Sequence, residues 1–175
     1  MDWKDLLKDA YDRIPQFVEH VLKGLKQKDL DWQPREDSNS IGWLVWHLTR
    51  QQDAQIAALM DEEQLWTKDE WHKKFDRDPD PKDIGFGHTS EQVAAFRSPD
   101  IQTFIDYLKT AVDKTKQYIE TLSGDDLDRE LNEPWFQPLP TVGVRLISIL
   151  DDSLLHAGQA AYVRGLKYGK GWQKY

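Results

Sequence analysis

SNSIGWLVWHLTRQQDAQIAALM, residues 38–60, has the pattern of one long helix and is the stretch that decides the fold. Its apolar residues recur at spacings of three, four and their sums, so they share one helical face: Ile41, Leu44, Val45, Leu48, Ile56 and Leu59. Ser38 or Ser40 can cap the helix, because a side-chain oxygen there accepts a backbone N–H of the first turn. His47 lies within this apolar stripe, so we expect a partly buried imidazole whose ring nitrogens need partners.

The spacing of apolar residues predicts three further long helices, over residues 2–25, 99–122 and 141–165. Pro15 falls inside the first of these and should kink it or mark an irregular turn, because proline removes a backbone donor. The last helix should turn these residues inward: Val142, Leu146, Ile147, Leu150, Leu154, Ala157 and Ala161. Four such helices predict an all-α fold, a four-helix bundle with short extra helices in long connectors. We expect one domain over residues 1–175, a length sufficient for a continuous core.

Capping motifs predict where other helices begin. Thr67–Glu70 and Thr89–Gln92 both have the spacing of a capping box, and each should start a short helix. Ser98-Pro99 should start the third long helix, since a cap residue followed by proline suits a helix N-terminus. Ser123-Gly124 should end it.

Charge and composition narrow the classes of function. The chain has 23 basic and 31 acidic residues, and its net charge of -8 opposes phosphate binding, so we expect no nucleic-acid partner. No apolar run approaches the roughly 20 residues that span a bilayer. The N-terminal MDWKDLLKDAY is charged and lacks the apolar region of a signal peptide. We therefore expect a cytoplasmic protein without a membrane partner. Because the chain lacks cysteine, any metal must be held by nitrogen and oxygen.

One group of polar residues can carry chemistry. Asp152 and His156 are four residues apart in the last predicted helix and so stack on one face. With His47 from another helix they would supply two imidazoles and a carboxylate. Three ligands and an open position suit Zn²⁺, Ni²⁺, Fe²⁺ or Mn²⁺. A hydrogen bond between Asp152 and His156, beside a satisfied core histidine at position 47, explains the same residues without a metal.

Four other polar residues are candidates for roles beside such a site. Gln51 lies one turn beyond the histidine of its own helix, where it can hydrogen-bond a metal ligand or bind directly. His88 ends the irregular stretch 76–88 and is a candidate fourth ligand or acid–base group; this stretch either folds over a pocket or is a simple turn. Arg145 and Arg164 can hold a carboxylate of a substrate or thiol cofactor, although salt bridges also explain both.

SIGWLVWHLTRQQD (40–53) and LDDSLLHAGQAAYVRG (150–165) resemble the two signature helices of the DinB-like superfamily. The likeness extends to GFGHTSEQVAAFR (85–97) and VRLISIL (144–150). The chain most resembles an uncharacterised actinobacterial-type branch, which is similar to the metal-binding domain of mycothiol-dependent maleylpyruvate isomerase.

The resemblance implies a four-helix bundle with a central divalent metal, bound by a histidine of the second long helix and an H-x-x-x-H pair of the fourth. These ligands correspond to His47, Asp152 and His156, with aspartate in place of the middle histidine. It further implies a thiol-dependent S-transferase or isomerase, in which the metal activates mycothiol, bacillithiol or a similar small thiol for attack on a small-molecule substrate. We also expect a homodimer. The alternative is a non-catalytic bundle that binds a small ligand or acts as a dimerising scaffold.

Overall fold

The computed structural model describes residues 1–173, and over this range the chain is helical without a β-strand. Two short 3-10 helices span Asp125–Asp128 and Lys170–Trp172. The α-helices are α1 (Trp3–Leu22), α2 (Gln27–Leu30), α3 (Ile41–Met60), α4 (Leu65–Lys68), α5 (Trp71–Lys74), α6 (Ser90–Ala95), α7 (Ile101–Thr121) and α8 (Val142–Tyr168). The predicted all-α fold with four long helices, α1, α3, α7 and α8, is confirmed.

Helices that follow one another in the chain are not always neighbours in the bundle. Both α1 and α3 pack against α7 and α8. The Tyr11 hydroxyl of α1 donates to the Leu146 carbonyl of α8, and Arg164 farther along α8 donates to the Val21 carbonyl, so α1 and α8 run parallel. The long connectors at residues 23–40 and 122–141 therefore join helices whose principal partners lie elsewhere in the bundle.

Several predicted helix boundaries are wrong by about one turn. The first long helix ends at Leu22, and Gly24 with φ of +77° follows it in a left-handed conformation. The third long helix is capped by Asp100, whose carboxylate accepts the N–H of Thr103, so Ser98-Pro99 precedes the helix instead of starting it. The last long helix extends beyond residue 165 to Tyr168.

One of the two predicted capping boxes is present. The Thr89 side chain accepts the backbone N–H of Gln92, whose own side chain accepts the N–H of Thr89 at the start of α6. Thr67 instead lies inside α4, and Glu70, with φ of +56°, directly precedes α5. The capping box predicted at Thr67–Glu70 is therefore wrong, because the chain turns sharply between two short helices there.

The inner face of α8 is narrower than its apolar residues predict. Leu146 and Ser153 are buried, whereas the next residues, Ile147 and Leu154, are 56% and 46% exposed. Each exposed residue lies about 100° round the helix from its buried neighbour. The prediction that Ile147 and Leu154 face inward is therefore wrong, and both belong to the outer face of α8.

A buried aromatic cluster attaches the long α3–α7 connection to the bundle. Trp66 of α4 packs against Trp46 of α3 and Tyr107 of α7, with ring centroids 6.3 and 5.9 Å apart. Such rings dominate core energetics, and truncating one to alanine typically costs about 3–5 kcal/mol. Within the irregular stretch 76–88, Arg77 stacks on the Trp46 ring at 4.7 Å, so this stretch also lies beside α3. None of the helices within residues 1–173 has the length and apolar character needed to cross a membrane.

Candidate metal centre

Three polar side chains meet between α3 and α8. His47 comes from α3, and Asp152 and His156 come from α8; one potential ligand atom of each lies within 4.8 Å of the others. The two imidazole rings meet edge to face, with centroids 4.7 Å apart. Farther along, Arg145 of α8 donates to Gln55 of α3 at 3.1 Å, so the two helices run antiparallel. The structure thus brings together the three residues that the sequence pattern selected as candidate ligands.

His47 is oriented by a backbone carbonyl. Its ring is buried, and its Nδ1 lies at hydrogen-bonding distance from the carbonyl oxygen of Ile84. A carbonyl only accepts, so Nδ1 carries the proton and Nε2 keeps a free lone pair. Burial lowers the pKa of His47, which favours the neutral imidazole that metals bind. The Trp43 ring, stacked at 4.9 Å, covers one face of this imidazole.

The other histidine has the same arrangement. His156 Nδ1–H donates a hydrogen bond to the amide oxygen of Gln159 at 2.8 Å, so Nε2 is directed toward Asp152 at 3.4 Å. Burial alone would lower the pKa of His156, but hydrogen bonds with Asp152 and Gln159 outweigh it and the pKa is raised. Histidines that bind metals commonly donate their second ring N–H to an oxygen in this way.

Asp152 has an oxygen that its protein neighbours do not satisfy. Oδ1 makes a long hydrogen bond of 3.4 Å with His156 Nε2. Oδ2 is buried and has no hydrogen-bond partner within residues 1–173. A buried carboxylate oxygen without a partner is costly unless a cation or another donor satisfies it. The donor set and this oxygen therefore fit a divalent metal held by His47, Asp152 and His156.

Gly85 lets the loop approach the centre closely. It has φ of +88°, and a Cβ at this position would lie 2.9 Å from the rings of Trp43 and Trp46 and 3.0 Å from His47 Nδ1. Only glycine adopts such a conformation at little cost and leaves room for these contacts. The irregular stretch 76–88 therefore does fold against the candidate centre, and its Ile84 carbonyl is part of it.

A fully buried arginine ties the same loop to α3. Arg50 donates to the carbonyl oxygens of Pro81 and Asp83, each at 3.2 Å. Its charge is balanced by Asp53 at 3.4 Å, which also accepts from the Tyr107 hydroxyl at 2.7 Å. Sequence reasoning missed this role of Arg50. The available signal was an Arg–Asp pair three residues apart within an apolar helix.

His88 is not brought into the group. Its Nδ1 accepts the indole N–H of Trp43 at 3.2 Å, and its Nε2 donates to the Asp83 carboxylate at 2.9 Å. Both ring nitrogens are therefore hydrogen-bonded to protein groups. His88 holds the loop in place and is not positioned as a fourth ligand beside His47, Asp152 and His156. Asp83 is held in turn by Arg77, and although burial opposes ionisation, these partners lower the pKa of Asp83.

The remaining candidates lie on either side of the centre. Gln51 and Arg145 line a recess one to two turns along the α3–α8 groove. Arg164 lies between α1 and α8, where it donates to the Val21 carbonyl, and its guanidinium stacks at 4.6 Å on the ring of Trp172. Both arginines therefore join helices in this structure, Arg164 linking α8 to α1 and Arg145 linking α8 to α3, and Arg145 also lines the recess.

These features define a class: a four-helix bundle with a candidate histidine–aspartate–histidine metal centre between two of its long helices. The family model of the DinB superfamily matches residues 10–160, so the chain belongs to the DinB superfamily. A crystal structure of a conserved protein from Enterococcus faecalis is similar, with a TM-score of 0.88 and 32% sequence identity. That likeness covers 97% of this chain and 99% of the other. No curated protein matches the chain.

Proposed function

We propose that this chain is a cytosolic, divalent-metal-dependent transferase that activates a small thiol of the mycothiol or bacillithiol type for attack on a small electrophile. The observation that carries the proposal is the convergence of His47, Asp152 and His156 within 4.8 Å, with one carboxylate oxygen left unsatisfied within residues 1–173. The resemblance to a DinB-like branch that is similar to the metal-binding domain of mycothiol-dependent maleylpyruvate isomerase favours thiol chemistry over other metal-dependent reactions.

The protein side chains hold and tune the centre. His47 and His156 each donate Nδ1–H to a fixed oxygen, which directs Nε2 into the shared space. Asp152 makes the set more anionic than one with three histidines. A Zn²⁺, Ni²⁺, Fe²⁺ or Mn²⁺ ion held there would supply a Lewis acid that lowers the pKa of a thiol. Because the chain contains no cysteine, the thiol has to come from a separate molecule.

Metal analysis of the purified protein tests the centre directly. We expect close to one divalent ion per chain in the wild type, loss of this ion in His47→Ala, and retention in His20→Ala. His20 is an exposed histidine of α1 and serves as the matched control. Normal metal content in His47→Ala would contradict the assignment. Conjugation assays with mycothiol, bacillithiol and glutathione then test the chemistry of a metal-loaded protein.

A non-catalytic scaffold is the second candidate, and an exposed apolar stripe on α8 favours it. The solvent-facing side chains of this stripe recur at helical spacing: Val144, Ile147, Leu155, Tyr162 and Leu166. A second copy of the chain would bury them, and we propose a homodimer in either case. A scaffold without metal predicts that added Zn²⁺ or Ni²⁺ leaves the melting temperature unchanged, because only a ligand of the native state stabilises it. Sedimentation measurements test the dimer.

A further inference from the structure

A recess of about 310 Å³ lies between α3, the start of α8 and the connector that precedes α8. Its walls include Gln51 of α3, Arg145 of α8 and Glu133 of the connector before α8. Ile84 also lines it, and the carbonyl of this residue is the one that orients His47. We call this space the Arg145 recess.

The recess and the candidate centre lie along one groove. Arg145 and Asp152 are seven residues apart on α8, nearly two full turns, so both project from the same side about 10 Å apart along the axis. On α3, Gln51 follows His47 by one turn. A small molecule with one end at Arg145 can therefore extend along the groove toward the three candidate ligands.

Arg145 supplies a positive charge in the wall of this recess. Its side chain is only 18% exposed. Nη1 donates to the amide oxygen of Gln55 at 3.1 Å, and Nη2 pairs with the carboxylate of Glu133. Glu133 approaches from the connector and not from a long helix. Its carboxylate thus occupies the position in which a guanidinium would bind the carboxylate of a ligand.

We propose that the Arg145 recess binds the carboxylate of a small organic acid, and that Glu133 occupies this position until such a ligand displaces it. The planar guanidinium favours carboxylates over neutral groups of the same shape. The volume lies at the lower end of the range for small-molecule sites. Assigning this carboxylate to the electrophilic substrate rests on the proposed function, whereas binding in the recess does not.

A titration of the metal-free full chain with sodium benzoate tests the recess. NMR signals of the arginine Nε–H and glutamine side-chain amides report on binding, and benzamide serves as the neutral control of similar shape. We expect benzoate to shift the signals of Arg145 and Gln55, and benzamide at the same concentration to leave them in place. Equal effects of the two compounds, or shifts confined to residues outside the recess, would overturn the proposal.

Two substitutions should change benzoate affinity in opposite directions. Arg145→Gln should weaken binding about tenfold or more, because the charge-assisted hydrogen bonds are lost. Glu133→Gln should tighten it up to about fivefold, the factor for an ion pair of about 1 kcal/mol that no longer competes. Arg13→Gln, which removes an exposed arginine of α1, should have no effect. Unchanged affinity in Arg145→Gln, or equal loss in Arg13→Gln, would refute the site.

The two proposals can fail separately. Tighter benzoate binding by Glu133→Gln could not be explained by misfolding of that variant, since a damaged fold would not bind benzoate more tightly. Weaker or unchanged binding in Glu133→Gln would refute the displacement of this carboxylate. Benzoate binding by a chain that takes up no metal would contradict the proposed function and support the carboxylate site in the Arg145 recess. Metal uptake without benzoate binding would support the metal centre and refute the carboxylate site.

Discussion

Gly85→Ala should weaken metal binding without touching a metal ligand. The added Cβ would lie 2.9 Å from the rings of Trp43 and Trp46 and 3.0 Å from His47 Nδ1, all closer than ordinary van der Waals contact. Two indole rings packed in the core cannot retreat easily, so we expect the loop to move. That movement takes the Ile84 carbonyl away from His47 and frees the imidazole to adopt its other tautomer.

The Gly85→Ala substitution should lower both the folding stability and the metal affinity. The positive φ alone costs an alanine about 1–2 kcal/mol of folding stability. Loss of the hydrogen bond to the histidine removes a further 0.5–1.5 kcal/mol or so. For a metal ligand, losing such an oxygen partner typically weakens affinity about 10–100-fold. Gly87→Ala separates the cost of the positive φ from the effect on His47, because Gly87 has φ of +76° but a Cβ added to it would meet nothing within 4 Å.

The assay compares both alanine variants with the wild type. Thermal unfolding of the metal-free proteins should show a lower melting temperature for each, by roughly 2–4 °C per kcal/mol for a chain of this size. Metal affinity, measured by competition with a chelating dye, should fall only in Gly85→Ala. Nitrogen-15 NMR of the metal-free protein should show the Nδ1–H tautomer of His47 in Gly87→Ala but not in Gly85→Ala. Equal metal affinities and the same tautomer in both variants would refute the reasoning.

Three further predictions concern charge and burial. In Asp152→Asn the pKa of His156 should fall, because the ionised partner that helps to raise it is gone; NMR titration measures this. Burial lowers the pKa of His47 below its usual 6.5, so the unfolded state binds the proton more readily. The free energy of unfolding should therefore fall as the pH drops below about 6.5. His47→Gln should reduce this pH dependence in denaturant titrations. Asp53→Ala should destabilise the protein by about 3–5 kcal/mol, because Arg50 is left buried without its counter-charge.

Matched substitutions at exposed positions provide the controls for these predictions. Asp9→Ala removes the partner of Arg13 in an exposed pair and should cost less than about 1 kcal/mol. His20→Gln, at an exposed histidine of α1, is the matched control for His47→Gln. An Asp53→Ala protein as stable as Asp9→Ala, or a pH dependence lost equally in His20→Gln, would contradict the corresponding prediction. An unchanged pKa of His156 in Asp152→Asn would contradict the prediction that the Asp152 carboxylate helps to raise it.

The long helices and the Asp152–His156 pair were accessible from sequence because both depend on local spacing, whereas the resemblance to DinB-like proteins implied that His47 joins that pair. Apolar periodicity locates α3 around His47, and a spacing of four places Asp152 and His156 on one face of α8. The same periodicity misassigned Ile147 and Leu154, since an apolar residue at the edge of a helical stripe can lie on either side of it. Helix ends were less predictable, because Asp100 and Ser98 are both good cap residues and packing selects between them.

Sequence by itself determined that this chain forms a helical bundle, that it belongs with DinB-like proteins, and which three side chains are candidate ligands. Only the tertiary structure decided that α3 and α8 are antiparallel neighbours, that the Ile84 carbonyl orients His47, and that Glu133 forms an ion pair with Arg145. The physical reason is range. Helical periodicity is a property of residues a few positions apart, whereas these contacts join groups 12 to 90 positions apart and depend on how the connectors pack.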